Sequence, residues 1–301
     1  MAAWLSPMKR QLRLCLAGPA LSQFRARLGT IDLTTQTLHE ALHGTSVLIS
    51  GTGWASDLEH RARLLARELS IPSVAVLDHW VNYRTRFQHE GLEILPDQLW
   101  VADAEAAAIA RTEFPRLPVV QLPNHWLEGV CTEVRTRRNS DTADQPPQPR
   151  RPARRLLYLL EPIRVPWPTT EVTSRIHGAE PGELQGLRYW MKQLPKLAEQ
   201  GWIAPPEQLE ALALRPHPSE PAGKYNALIA EAERRWPIRL DPSPSLAAAL
   251  AWADAAFGCE TQALVAALAC GLHAFSTVPP WAPPCRLPHA ALHHLSRLEE
   301  P

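Results

Sequence analysis

The chain has no excess of charge, no C-x-x-C pair and no long unbroken apolar run, and each absence narrows what it can be. Basic and acidic residues number 31 each in 301, so the basic surplus that marks a nucleic-acid-binding face is missing and no nucleic-acid partner is expected. The five cysteines, Cys15, Cys131, Cys259, Cys270 and Cys285, are odd in number and widely spaced. That spacing indicates neither a disulfide framework nor a metal site, and it fits a reducing cytoplasm. The richest apolar region, 246–275, is interrupted by Asp254 and Glu260 and diluted with alanine and glycine, too weak for a membrane-spanning helix. Near the start, Lys9, Arg10 and Arg13 are scattered instead of preceding an apolar core, so no secretory signal is expected.

What is present is alternation. In the first half, short apolar runs at 12–17, 46–50, 73–77, 98–101 and 119–122 read as strands, and 35–42, 56–69 and 104–114 read as helices. In the second half, strands are expected at 156–160, 209–214, 238–240, 255–257 and 273–276, the last of the chain. Helices are expected at 183–199 (with Pro195 marking a break), 224–235, 246–253 and 262–270, and 161–182 reads as a long polar loop. Between the halves, 135–155 mixes seven arginines with proline and few apolar residues, the composition of a linker. The expectation is an α/β protein of two Rossmann-like domains facing a cleft: 1–134, an Arg/Pro-rich linker 135–155, and 156–301. The linker arginines offer a means of peripheral membrane association; a solvated tether is the competing reading.

In parallel α/β sheets ligands collect at the carboxyl ends of strands, and several strands here end in chemistry. The run at 46–50 enters Gly51-Thr52-Gly53-Trp54, a sharp strand-to-helix turn that lacks the third glycine of a dinucleotide fingerprint and the lysine of a P-loop. The next delivers Asp78-His79-Trp80, and 119–122 delivers Asn124-His125-Trp126. These polar residues belong on one rim of a parallel sheet, unless each tryptophan plugs the sheet edge and each histidine caps a carbonyl. Asp78 is the first candidate for a general base, being a carboxylate beside histidine and arginine, with His79 next. In the second half, the strand ending at Leu214 leads to Arg215-Pro216-His217-Pro218-Ser219 and then Lys224-Tyr225. Here a planar guanidinium, an imidazole and a hydroxyl are held by two prolines ahead of a helix. A polar turn in which His217 caps a backbone group is the alternative. Ser245 is the expected N-cap of the helix after it and is counted with the substrate-binding positions. Glu260 and Thr261 open the helix at 262; Glu260 suits a ribose diol and Thr261 a phosphate, unless both only cap that helix.

The motif R-P-H-P-S-E followed by K-Y resembles the His-Pro motif of bacterial GT-B sialyltransferases and Kdo-type surface-polysaccharide transferases. The later A-D-A-A-F-G-C-E-T-Q-A-L-V-A-A-L-A-C-G resembles the turn and helix of the same fold. The resemblance covers about 156–276 and implies a glycosyltransferase whose His217 holds the phosphate of a nucleotide-sugar, with a CMP-linked donor in view. That donor is a co-substrate, and no separate cofactor is expected. The acidic pair plus glycine that carries the base in some relatives is matched in part by His89-Glu90-Gly91, which makes Glu90 a third candidate base. The resemblance further implies a glycan or lipid-linked acceptor and a cytoplasmic site of action at the inner membrane surface. A nucleotide-sugar epimerase or hydrolase of the same fold, and a non-catalytic glycan-assembly binding protein, are the alternatives.

Overall fold

A computed structural model describes residues 1–5, 12–18, 20–28, 37–53, 56–139, 152–167 and 180–298. The chain divides into two compact units, Met1–Trp126 and Leu127–Pro301.

The first unit opens with two helices, α1 (Ala2–Leu5) and α2 (Ala20–Leu28), and a short α3 (Leu38–Leu42) follows. Thr37 and Glu40 close a reciprocal capping box on α3. Then come β1 (Leu48–Ser50), α4 (Leu58–Glu68), β2 (Ser73–Leu77), a hairpin of β3 (Gln88–His89) and β4 (Leu92–Glu93), β5 (Gln98–Val101), α5 (Ala104–Glu113) and β6 (Val119–Gln121). Four strands make one parallel sheet, β1-β2-β5-β6. Every residue of β2 is buried, as an interior strand covered on both faces demands.

The expected strand at 12–17 is not one. Leu12, Leu14 and Leu16 instead pack against a small cluster of Leu5, Phe24 and Leu28, so alternating leucines found a helix face to cover and no ladder to join.

The second unit takes in most of α6 (His125–Asn139), then β7 (Arg155–Leu159), α7 (Gly182–Glu199), β8 (Ala211–Arg215), α8 (Asn226–Ala232), β9 (Ile238–Leu240), α9 (Leu246–Trp252), β10 (Ala255–Gly258), α10 (Gln262–Ala269), β11 (His273–Ser276) and β12 (His293–His294). The linker expectation fails at 135–139, which are helical; 140–151 lie outside the described residues. Arg138, far from tethering anything, donates to the carbonyls of Leu250, Ala251 and Ala253 at the end of α9, where unpaired carbonyls and the helix dipole favour a cation. Of the loop expected at 161–182, residues 168–179 also lie outside the described residues. α7 continues through Pro195 to Glu199 without breaking, and β12 follows the strand expected to be last.

The six strands are all parallel and ordered β12-β11-β10-β7-β8-β9. Chain order therefore reverses between β7 and β10: from β7 the sheet grows outward through β8 and β9, then returns to the other side. Such a reversal splays the two following connections to opposite faces and opens a crevice at the carboxyl ends of the two strands. α7 is seated over them by Trp190, whose ring lies 4.9 Å from Tyr158 and 5.2 Å from Phe257, with Phe257 stacked on Phe275 at 4.9 Å. Glycine at 186 permits this approach, since a β-carbon there would stand 2.5 Å from the Cys259 Sγ. Among the described residues no helix is long and apolar enough to cross a membrane.

Candidate functional site

The register of the second sheet fixes what shares its rim. Leu159 of β7 is flanked by Arg215 of β8 and by Gly258 of β10, two strand spacings or about 10 Å apart. Glu161, His217 and Glu260 each follow two residues beyond that level, so all three stand at the carboxyl edge where the chain order reverses.

His217 keeps its expected place. Its ring is exposed, and Nδ1 accepts from the Ser219 N–H at 3.2 Å and contacts the Ser219 hydroxyl at 2.8 Å. In the neutral ring the proton then belongs on Nε2, which makes that nitrogen a donor. Pro218 lies between the two partners. Arg215 does something other than wait for a phosphate: Nη1 donates to Asp241 at 2.5 Å and to the Ser243 carbonyl at 3.1 Å, tying the end of β8 to the exit of β9. Lys224 is likewise engaged. It bridges Glu183 and Glu220, two carboxylates whose side chains are each only 1% exposed, and Tyr225 donates to Glu220 at 3.0 Å. Burial alone would drive the Lys224 ammonium down, but bonds from the two carboxylates outweigh it and hold its pKa up. Ser245 caps α9, accepting from the Ala248 N–H at 3.1 Å. Thr261 caps α10, accepting from the Ala263 N–H at 3.3 Å. Ser245 is thus the N-cap expected, and for Thr261 the capping alternative describes what the structure contains.

Two rim residues were not picked out in the sequence. Glu161 accepts the Glu260 N–H at 2.7 Å. Its carboxyl is pushed up to about 7, by burial first and by the Glu260 carboxylate, against the lowering bond from the Glu260 N–H. Glu161 directly follows an apolar strand, the same signal that singled out Asp78, so it was there to be found. Arg286 holds the Glu260 carboxylate through Nε at 2.8 Å, Nη2 at 2.6 Å and its own N–H at 2.8 Å. No motif surrounds Arg286, and only the fold brings it to the rim. The rim thus brings two neighbouring acceptors for hydroxyls (Glu161, Glu260) together with donors for an anion (His217, Arg286).

The first unit has a rim of its own. Thr52 donates to the Val76 carbonyl at 2.9 Å from a buried position. Gly51 and Gly53 leave room for Glu59, whose Oε1 lies 3.2 and 3.3 Å from where their β-carbons would be. Trp54 lies outside the described residues. A buried Arg63 donates to Ile94, Ser50 and Gly51 at 3.2 Å each, so this turn is held from below by α4. Asp78 is 78% exposed and 3.8 Å from Arg86. Arg86 also donates to the Thr52 carbonyl at 3.0 Å, which places Asp78 and the glycine turn side by side. His79 accepts its neighbour's N–H at 2.9 Å, while Trp80 is buried and donates to Asp103. Trp80 thus fits the edge-plug reading, whereas His79 meets a backbone N–H. Asn124 and His125 stand on the same edge, since Leu77 pairs with Val101 and Val101 with Gln121. There His125 opens α6, and Trp126 is 47% exposed. Glu90 belongs to none of this. It sits at the tip of the β3–β4 hairpin, 88% exposed, with φ +49° followed by Gly91 at φ +80°. Two consecutive positive φ values make a type I′ turn, which accounts for the glycine without any acid–base role.

No protein-family model matches the chain, and no curated protein matches it at a significant level. Solved structures do match. A UDP-GlcNAc 2-epimerase from Methanocaldococcus jannaschii, in complex with UDP-GlcNAc and UDP, aligns at 12% identity and TM-score 0.51 over 91% of this chain and 76% of that one. Another structure of that epimerase aligns at 13% and 0.44, covering 79% of this chain, which spans 63% of its length. A variant of Os79 from O. sativa, in complex with UDP, aligns at 15% and 0.38 over 94% of this chain and 68% of that one. The alignment at 0.51 bears on the fold. The chain has the mixed α/β, parallel-sheet architecture of a GT-B-like protein. The finer resemblance to sialyl- and Kdo-type transferases has no counterpart in these matches.

Proposed function

We propose that this is a GT-B-type protein acting on a nucleotide-sugar, with the nucleotide seated on the rim of the second unit. The observation that supports the reading is the reversal of strand order at β7 and β10, with His217, Glu161 and Glu260 on that carboxyl edge and Arg286 bonded to Glu260. In this reading Glu260 accepts from the ribose diol, and His217 Nε2 with Arg286 meets the phosphates, where donors stabilise charge as the nucleotide leaves. Arg286 already holds Glu260, so the ligand exchanges one partner for another and adds little uncompensated charge. As a glycosyltransferase, the protein moves the sugar to a hydroxyl of a glycan or lipid-linked acceptor. The first unit's candidate base is Asp78, beside Arg86.

A second reading, an epimerase or hydrolase of nucleotide-sugars, is favoured by Glu161. A carboxyl that titrates near 7 at the nucleotide rim can give and take a proton there without help from the first unit. The likeness to an epimerase that binds UDP-GlcNAc fits it as well. Proton NMR of the protein with UDP- and CMP-sugars separates the two. Epimer or free sugar formed without an acceptor supports the second reading, turnover only on adding glycan acceptors supports the first, and no turnover under either condition contradicts both.

A further inference from the structure

Cys131 and Cys270 are 139 positions apart in sequence, yet their Sγ atoms lie 3.4 Å apart in the second unit. Cys131 projects from α6. Cys270 is the C-cap of α10, its N–H donating to the Ala266 and Leu268 carbonyls, and Gly271 at φ +79° turns the chain away beyond it. Both are half-buried. Two guanidiniums attend them: Arg135 Nε donates to the Cys131 carbonyl at 3.4 Å, and Arg138 is fixed one turn along on the end of α9. The Cys270 thiol is pushed up to about 12, by burial first and then by the contact with Cys131, against the pull of Arg138 and Arg135. Cys259, by comparison, is fully buried between Tyr158 and Thr277.

We propose that Cys131 and Cys270 are a reversible covalent modification site that takes a small-molecule disulfide, of the oxidised glutathione class, as its co-substrate. The Cys131 thiolate attacks one sulfur of the small disulfide, forming a mixed disulfide and expelling one thiolate, which takes up the proton that Cys131 lost. Cys270 Sγ then loses its proton and attacks the Cys131 Sγ, expelling the second small thiol. In sum two protein thiols are oxidised to one disulfide, and one small disulfide is reduced to two thiols. Closing from 3.4 Å to a bond of ~2.05 Å requires a shift of roughly 1.4 Å between a helix and a helix cap. The link joins α6 to the far end of the helix that begins at Thr261, beside Glu260. Oxidation therefore tightens the support of the nucleotide rim without touching it.

The test equilibrates the full chain in oxidised or reduced glutathione buffer, alkylates it after denaturation, and maps its peptides. Oxidised protein should show three alkylatable thiols, the five present less two, with one linked peptide pair spanning 131 and 270. Its Tm should rise by a few degrees and fall back on reduction. Cys131→Ser and Cys270→Ser should each abolish the linked pair and the Tm rise; Cys131→Ala serves if a serine variant fails to fold. Five free thiols, glutathione retained on one cysteine without closure, or a link between any other pair would overturn the proposal.

Discussion

The main-chain N–H of Glu260 donates to Glu161 Oε1 at 2.7 Å. One bond therefore joins the exit of β7 to the turn after β10, the two strands between which the sheet reverses its order. The carboxyl that accepts it is buried enough to titrate near 7, so the bond and the proton are linked.

That linkage has a sign. An unfolded glutamate loses its proton near 4.5 and folded Glu161 near 7, so between those values the folded state binds more protons. Stability from this group is complete below about 4.5, falls as pH rises, and levels off above about 7. Glu161→Gln keeps an acceptor for the Glu260 N–H and removes the titration. Relative to wild type it should gain on the order of 2 kcal/mol between pH 4.5 and 7.5, measured by urea unfolding at both pH values. Parallel stability curves for the two proteins would show that Glu161 titrates normally.

Lys224 neutralises two buried carboxylates, and Glu183 Oε2 and Glu220 Oε1 are themselves buried without a partner. Lys224→Met should cost about 3 kcal/mol or more, because it strands negative charge in the interior. Adding Glu220→Gln to that variant should recover part of the loss. A Tm for Lys224→Met within a degree of wild type would contradict this account of the cluster.

Two helical glycines should respond in opposite ways to alanine. At Gly129, on the exposed side of α6, no atom lies within 4 Å of a new β-carbon, so Gly129→Ala should stabilise by about 0.5–1 kcal/mol. At Gly186 the β-carbon meets Cys259 Sγ at 2.5 Å and the Tyr158 hydroxyl at 3.3 Å. The same change there should cost about 1–3 kcal/mol by lifting α7 from the sheet. Thermal unfolding of the two variants side by side checks both signs.

Much of the fold could be read from local pattern. β2, β5, β9 and β11 fall where apolar runs bounded by turn residues placed them; in β2 and most of β11 burial on both faces leaves a strong compositional trace. The misses have specific causes. α6 is rich in arginine and threonine and, among its described residues, buries Val134 alone, so it carries almost no apolar period. The β3–β4 hairpin was hidden because Glu90-Gly91 read as a catalytic remnant when it is a turn. The candidate site was legible only where its contacts are local: His217 with Ser219, and the caps at Ser245 and Thr261. What engages the other candidates comes from distant sequence, with Lys224 on Glu183 41 positions away, Arg286 on Glu260 26 away, and Glu260 on Glu161 99 away. No spacing rule encodes such pairs; strand order does.

The central claim is that the rim at β7 and β10 grips a nucleotide. It is tested most directly by thermal shift of wild type and His217→Ala with CMP, UDP, GDP and their sugars. A ligand at 100 times its Kd stabilises the folded state by about 2.7 kcal/mol. The account predicts a raised Tm for wild type with at least one nucleotide class, and loss of that rise in His217→Ala at unchanged ligand-free Tm. Equal shifts in the two proteins, or none with any nucleotide at millimolar concentration, would contradict it.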